Sequence, residues 1–265
     1  MKRLLLTIPC CVALTLALAV GASATPYFEL DAPSASYAGQ APKGWVILVH
    51  GGGWDGIGTE QVQRLRTDAR RFTNRGWATM NVDYRAGASS LTDVVSFYDL
   101  VRSRMPVGKL CLYGQSAGGQ LVLMAAEART TVSCVMVEGA PTNLRGLATQ
   151  TSIDPDTARQ QTVGPRFVYG KAIAAFGLAN LEFYSPLTWA SKLRSPTLMS
   201  SATNDELVPV AQMNSMRVAR TKVKVMRLAG TTSTTSRSVF THGYITPAAR
   251  SRWEAAKTAM MAAAR

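Results

Sequence analysis

Six short apolar runs, at residues 45–49, 78–82, 110–113, 132–137, 197–201 and 223–228, are separated by stretches of helical periodicity, and this alternation constrains the chain more than any other feature. Runs this short and this continuously apolar fit strands of a parallel sheet covered on both faces. Between the first two, Val62, Leu65, Ala69 and Phe72 recur at intervals of three, four and three, while Arg64, Arg70, Arg71 and Arg75 occupy the rest of the turn. Leu91, Val94, Tyr98 and Val101 repeat the scheme. Each segment reads as an amphipathic helix with one face for the sheet. The alternation predicts an α/β fold: a mostly parallel sheet of about six to seven strands, flanked by helices and linked by right-handed crossovers. A last helix is expected from about Pro247, a residue suited to a first turn.

Residues 1–24 carry the pattern of an export signal. Lys2 and Arg3 precede an almost wholly apolar stretch from Leu4 to Val20, and Ala22-Ser23-Ala24 supplies small residues for cleavage before Thr25. The apolar stretch is short for a membrane anchor and contains Pro9. A secreted or periplasmic domain of residues 25–265 is therefore expected, with no transmembrane segment after cleavage. Within it, residues 141–193 lack a clean strand and mix glycine, proline and aromatic residues, which reads as a small lid-like insertion. Cys111 and Cys134 fall in neighbouring strand candidates, as a disulfide permitted by an oxidising compartment or as two buried thiols.

With 47% hydrophobic and 17% charged residues the chain can bury enough apolar surface to exclude disorder. Twenty-nine Lys and Arg against 16 Asp and Glu leave a formal charge of +13. No nucleic-acid motif accompanies that charge, so it reads as a solvated basic surface with no nucleic-acid partner expected. The two histidines, His50 and His242, do not cluster with cysteines, so no metal site is expected.

Two motifs carry chemistry. Gly114-Gln115-Ser116-Ala117-Gly118 is a G-x-S-x-G sequence between an apolar strand and a helix. A serine at such a turn is held in a strained conformation with its hydroxyl projecting, and the flanking glycines let strand and helix approach. His50-Gly51-Gly52-Gly53-Trp54 follows the strand at 45–49. Glycines there allow peptide N–H groups to turn toward a small anion. A phosphate cradle is the competing reading, but no G-x-x-x-x-G-K-[ST] spacing occurs at this loop.

Together these segments resemble the α/β-hydrolase superfamily, in particular the carboxylesterase and lipase group with an H-G-G-G-W oxyanion motif, which includes hormone-sensitive-lipase-like and feruloyl-esterase-like enzymes. The resemblance spans about residues 45–244. It implies Ser116 as nucleophile and the amides of Gly52, Gly53 and Ala117 as oxyanion donors. Val82-Asp83-Tyr84-Arg85 resembles the group's structural turn after the next strand. The short lead before residue 45 implies that the superfamily's first antiparallel strands are reduced or missing.

The triad order Ser, acid, His leaves His242 as base, since His50 precedes the oxyanion loop and is placed to brace it. Asp205, in Asp205-Glu206-Leu207-Val208-Pro209, is the first candidate acid and resembles the group's D-x-x-V-P segment; Glu138 is its rival. Trp54 and Gln115, beside the two motifs, are candidates for lining the substrate pocket, with core packing the other reading for Trp54. The expected activity is hydrolysis of short or medium acyl or aryl carboxylic esters, small or polymer-borne, through an acyl-enzyme and without a cofactor. An amidase, formamidase or peptidase with the same triad is the alternative, and a non-catalytic binding protein of the same fold a third reading.

Overall fold

The computed structural model describes residues 26–56, 59–153, 160–231 and 242–264. The export signal expected at residues 1–24 and most of the Ser/Thr-rich loop after Gly230 lie outside them. Strands β1 (Phe28–Asp31), β2 (Trp45–Val49), β3 (Ala78–Val82), β4 (Leu110–Gln115) and β5 (Cys134–Glu138) are followed, after a two-residue ladder of β6 (Ser152–Ile153) with β7 (Gln160–Gln161), by β8 (Thr197–Ala202) and β9 (Val223–Leu228). The helices are α1 (Thr59–Thr73), α2 (Ser89–Arg104), α3 (Ala117–Ala128), α4 (Val163–Phe176), α5 (Pro186–Trp189), α6 (Val210–Ala219) and α7 (Pro247–Ala263).

Seven strands form one sheet in the order β1-β3-β2-β4-β5-β8-β9, and every pairing except β1 with β3 is parallel. All six expected strands are present, and the antiparallel part of the sheet is reduced to β1 alone. Alternation within each strand builds two cores. Ile47, Val49, Leu110, Leu112, Val135 and Val137 face α2, α3 and α4, whereas Val46, Leu48, Cys111, Tyr113, Cys134 and Met136 face α1 and α7. Leu65, Ala69 and Phe72 of α1 pack in the second core, as their spacing predicts. Cys111 and Cys134 stand opposite each other in adjacent strands, fully buried, and form a disulfide. Among the described residues no helix is long and apolar enough to cross a membrane.

Strand order reverses at β2, whose neighbours are β3 on one side and β4 on the other. Chain segments leaving the carboxyl ends of strands at such a point diverge and open a crevice. The two segments that leave β2 and β4 are His50-Gly51-Gly52-Gly53-Trp54 and Ser116, so topology alone brings both motifs together.

Candidate active site

Ser116 joins β4 to α3 at φ 51° and ψ −122°, one of two non-glycine residues with positive φ among those described. Such a backbone costs about 1–3 kcal/mol and persists only where its surroundings enforce it. Here the Ser116 amide donates to Glu138 O at 2.8 Å, and Ser116 O accepts from Gln120 N at 3.1 Å. The flanking glycines are sterically required: a Cβ at Gly118 would overlap Val49 O and His50 O, and one at Gly114 would overlap Gly118 O. Ala117 opens α3, so its amide has no intrahelical acceptor and sits at the positive end of the helix dipole.

The loop after β2 runs through three consecutive left-handed residues, Gly52 (φ 112°), Gly53 (φ 67°) and Trp54 (φ 62°). It is braced from below. His50, 2% exposed, holds Asp83 Oδ1 at 2.9 Å through Nε2 and Gly51 O at 2.6 Å through Nδ1, and stacks on Tyr84 with ring centroids 4.4 Å apart. The Tyr84 hydroxyl donates to His50 O and Gly51 O at 3.0 and 3.2 Å. Burial, with the Asp83 charge, pushes that phenol far above its usual range, so it remains a donor. The segment Val82-Asp83-Tyr84-Arg85 is thus the floor of the loop.

His242 Nδ1 lies 2.9 and 2.8 Å from the two carboxylate oxygens of Asp205. Asp205 is 4% exposed, and its Oδ1 also accepts from the amides of Leu207 and Val208 at 3.0 and 2.9 Å, so the turn that follows fixes the acid. Burial alone would lower the His242 pKa, but the charge and hydrogen bond of Asp205 outweigh it and hold the imidazole above its ordinary value. With Nδ1 committed to the carboxylate, Nε2 is the nitrogen left to exchange a proton.

Glu138 makes a different set of contacts. It accepts from the Tyr113 hydroxyl at 2.5 Å, the Trp253 indole at 2.5 Å and Arg250 at 2.9 Å. Its side chain therefore belongs to a buried network with α7, while its backbone carbonyl anchors Ser116. The next residue, Gly139, carries a signal that sequence reading missed. At φ 57°, a Cβ there would lie 2.8 Å from His242 Cε1 and 3.3 Å from Asp205 Oδ2. Residues 138–139 thus adjoin Ser116, Asp205 and His242 together. Ser116 Oγ itself makes no hydrogen bond among the described residues.

Trp54 and Gln115 turn away from the position expected of pocket-lining residues. Trp54 is 1% exposed, donates its indole N–H to Gln120 Oε1 at 2.9 Å and meets Phe176 edge-on at 5.3 Å. Gln115 shares the α1-facing side of β4 with Tyr113 and donates to Asp68 Oδ2 at 3.1 Å and to Tyr113 Oη at 2.8 Å. Trp54 braces the site from within the core, and the half-buried Gln115 does so from the α1-facing side of the sheet. What packs beside the site instead is α4, from residues 141–193. Its stripe of Gly164, Lys171 and Ala175 meets, in order, the Glu206 carbonyl beside the acid, Gly53 of the glycine loop and Gly87. Lys171 Nζ pairs with Asp55 at 2.6 Å.

The BD-FAE family model matches residues 34–219. No curated protein matches the sequence. Among solved structures, an esterase/lipase from an uncultured bacterium aligns over 92% of this chain and 88% of its own with a TM-score of 0.67 at 15% identity. Est1E from Butyrivibrio proteoclasticus aligns over 89% and 93% with a TM-score of 0.62 at 16% identity. A puromycin-hydrolysing peptidase of Mycobacterium tuberculosis aligns over 83% of this chain with a TM-score of 0.61 at 19% identity, and this chain spans 34% of that longer one.

Proposed function

Because the chain belongs to the BD-FAE family, a family of α/β-hydrolase fold, we propose that it is an exported serine carboxylesterase acting on short or medium acyl or aryl esters. In this reading Ser116 Oγ attacks the ester carbonyl as His242 Nε2 removes its proton. The developing oxyanion is held by amides drawn from Gly52, Gly53 and Ala117. Asp205 keeps the imidazole in the required tautomer and stabilises the imidazolium that forms. His242 then protonates the leaving alkoxide, and an acyl-enzyme on Ser116 remains. Water, deprotonated by the same imidazole, releases the acid. Each step uses protein groups alone, so the proposal includes no metal and no organic cofactor.

The observation that carries the reading is the junction at Gly139, where the anchored serine and the Asp205–His242 pair meet at one point of the backbone. Export is part of the same proposal: the Cys111–Cys134 disulfide supports an oxidising compartment, in keeping with the leader pattern at residues 1–24. A panel of aryl esters of increasing acyl length, run on wild type and Ser116→Ala, tests it. Activity should favour short chains and vanish in the variant; activity surviving the substitution would refute the assigned nucleophile. A peptidase or amidase reading draws support from the puromycin-hydrolysing peptidase, which shares the fold. Matched ester and amide substrates separate the two, since one oxyanion site and triad serve either leaving group.

A further inference from the structure

Two adjoining hollows of about 520 and 770 Å³ run along one flank of α7 and share Arg75, Thr258 and Ala262. Five cations line them. Lys43 and Lys109 line the first, Arg71 and Arg250 the second and Arg75 both, against one acidic lining residue, Glu254. From Arg250 to Ala262 the helix rises about 18 Å, so the five cations form a track several sugar or phosphate units long.

Partners behind the track hold these cations in place. Arg250 is fixed by Glu138 at 2.9 Å, Arg71 by Asp68 at 2.8 Å, and Arg75 donates to Arg71 O at 2.7 Å and lies 3.4 Å from Glu254. Lys43 donates to Arg75 O at 2.9 Å, and Lys109 reaches Ala262 O at 3.4 Å. A guanidinium carries five N–H donors in a fixed fork, so a partner behind it leaves donors for a ligand in front. The three arginine side chains are still 26–34% exposed.

We propose that this trough binds an anionic polysaccharide, one carrying carboxylate or sulfate groups along its length. A bilayer is disfavoured because none of the large exposed hydrophobic residues, such as Val107, Val163 and Val218, lines the trough. Nucleic acid is disfavoured because single strands bind through exposed aromatic platforms. Here Trp77 is 5% exposed and the Tyr37 ring is covered by Lys43 Nζ at 4.8 Å. Without Lys2 and Arg3 of the leader the formal charge is still +11, which supplies long-range attraction for a polyanion. The Arg250 end of the track reaches the catalytic edge through Glu138, whose carbonyl anchors Ser116. The inference concerns binding and stands apart from turnover at Ser116.

The test measures binding of polygalacturonate, with dextran as the uncharged polymer and with oligodeoxythymidylate and phosphatidylglycerol vesicles as other anions. One triple variant, Lys43→Gln with Arg75→Gln and Lys109→Gln, removes three trough charges. A second, Arg104→Gln with Arg217→Gln and Lys224→Gln, removes three exposed charges elsewhere. The wild type should bind polygalacturonate and not dextran. The first triple should lose about tenfold more affinity than the second, as expected for a few modest charge contacts, with a shallower salt dependence. If the first triple fails to fold, Lys43→Gln with Lys109→Gln carries the comparison at about threefold. Equal losses in the two sets, unchanged binding in the trough variant, no binding by wild type, or tighter binding to oligonucleotide or vesicle would each overturn the proposal.

Discussion

Gly51 packs against the Cβ of Ser116: a Cβ at position 51 would lie 3.0 Å from Ser116 Cβ and 3.2 Å from Gln115 O. The glycine loop after β2 and the serine turn after β4 therefore interlock. Replacing Gly51 with alanine should move the loop by a few tenths of an ångström and misplace its amides. Loss of one well-aimed oxyanion donor costs roughly 100- to 1,000-fold in kcat, and a partial displacement is expected to cost about tenfold or more, with KM little changed. Steady-state kinetics on an aryl ester, alongside a thermal midpoint, measure this. An unchanged kcat would mean that the loop tolerates the methyl group or is not used.

Asp205 and Glu138 are both buried carboxylates at carboxyl ends of strands, yet His242 bonds to Asp205 and Arg250 to Glu138. Asp205→Asn is expected to lower kcat by about 10⁴, through the wrong imidazole tautomer, with a modest change in stability. Glu138→Gln should show the opposite balance. It leaves Arg250, itself 26% exposed, without its carboxylate, costs about 1.5–3 kcal/mol as a lost charged hydrogen bond does, and spares most of the rate. The reverse ranking of rates would move the acid to Glu138.

The raised His242 pKa fixes a pH profile. Its neutral form is the base, so kcat/KM should rise with pH along a limb whose midpoint lies above 6.5, the ordinary histidine value. Removing the Asp205 charge removes the cause of the increase, while burial continues to favour the neutral ring. The residual activity of Asp205→Asn should therefore titrate with a lower midpoint than wild type. A wild-type limb below 6.5 would contradict the pairing.

Glu127, in the last turn of α3, is 7% exposed with neither carboxylate oxygen hydrogen-bonded among the described residues. Burial pushes its pKa up to about 9, against the weaker opposing pull of Lys192. Between the model-peptide value of 4.5 and about 9 the folded state retains a proton that the unfolded chain has released. Stability should therefore fall as pH rises through that window, by at most about 1.4 kcal/mol per pH unit. Glu127→Gln should flatten the slope and raise the thermal midpoint at pH 8 more than at pH 5. Equal midpoints at both pH values would remove Glu127 as the cause.

Cys111 and Cys134 close a loop of 23 residues within the second core. Replacing both with alanine should cost about 3 kcal/mol in a denaturant titration, the loop-entropy value for that length.

The strands were legible because their two-sided burial requires continuous apolar runs, and the two motifs because topology and glycine sterics leave few alternatives. β1 was not, because Phe28-Glu29-Leu30-Asp31 is four residues on an edge, where one partner strand supplies little patterning. For Trp54 the sequence left pocket lining and core packing both open, and for Gln115 adjacency to a motif does not determine which way a side chain points. The left-handed backbone at Trp54 and the alternation of β4 at Gln115 turn both inward. Gly139 gave a single local signal, a glycine after a strand, whose meaning depends on an imidazole about 100 positions later. The course of α4 over the glycine loop arises from tertiary packing and leaves no periodicity to read.

The central claim, that Ser116 is the acylated nucleophile activated by His242, is tested most directly by labelling with a fluorophosphonate and mapping the adduct by peptide mass spectrometry. A single adduct is expected on the peptide containing Ser116, absent in Ser116→Ala and strongly slowed in His242→Ala. An adduct on another residue, or none while the wild-type protein still hydrolyses aryl esters, would contradict the account.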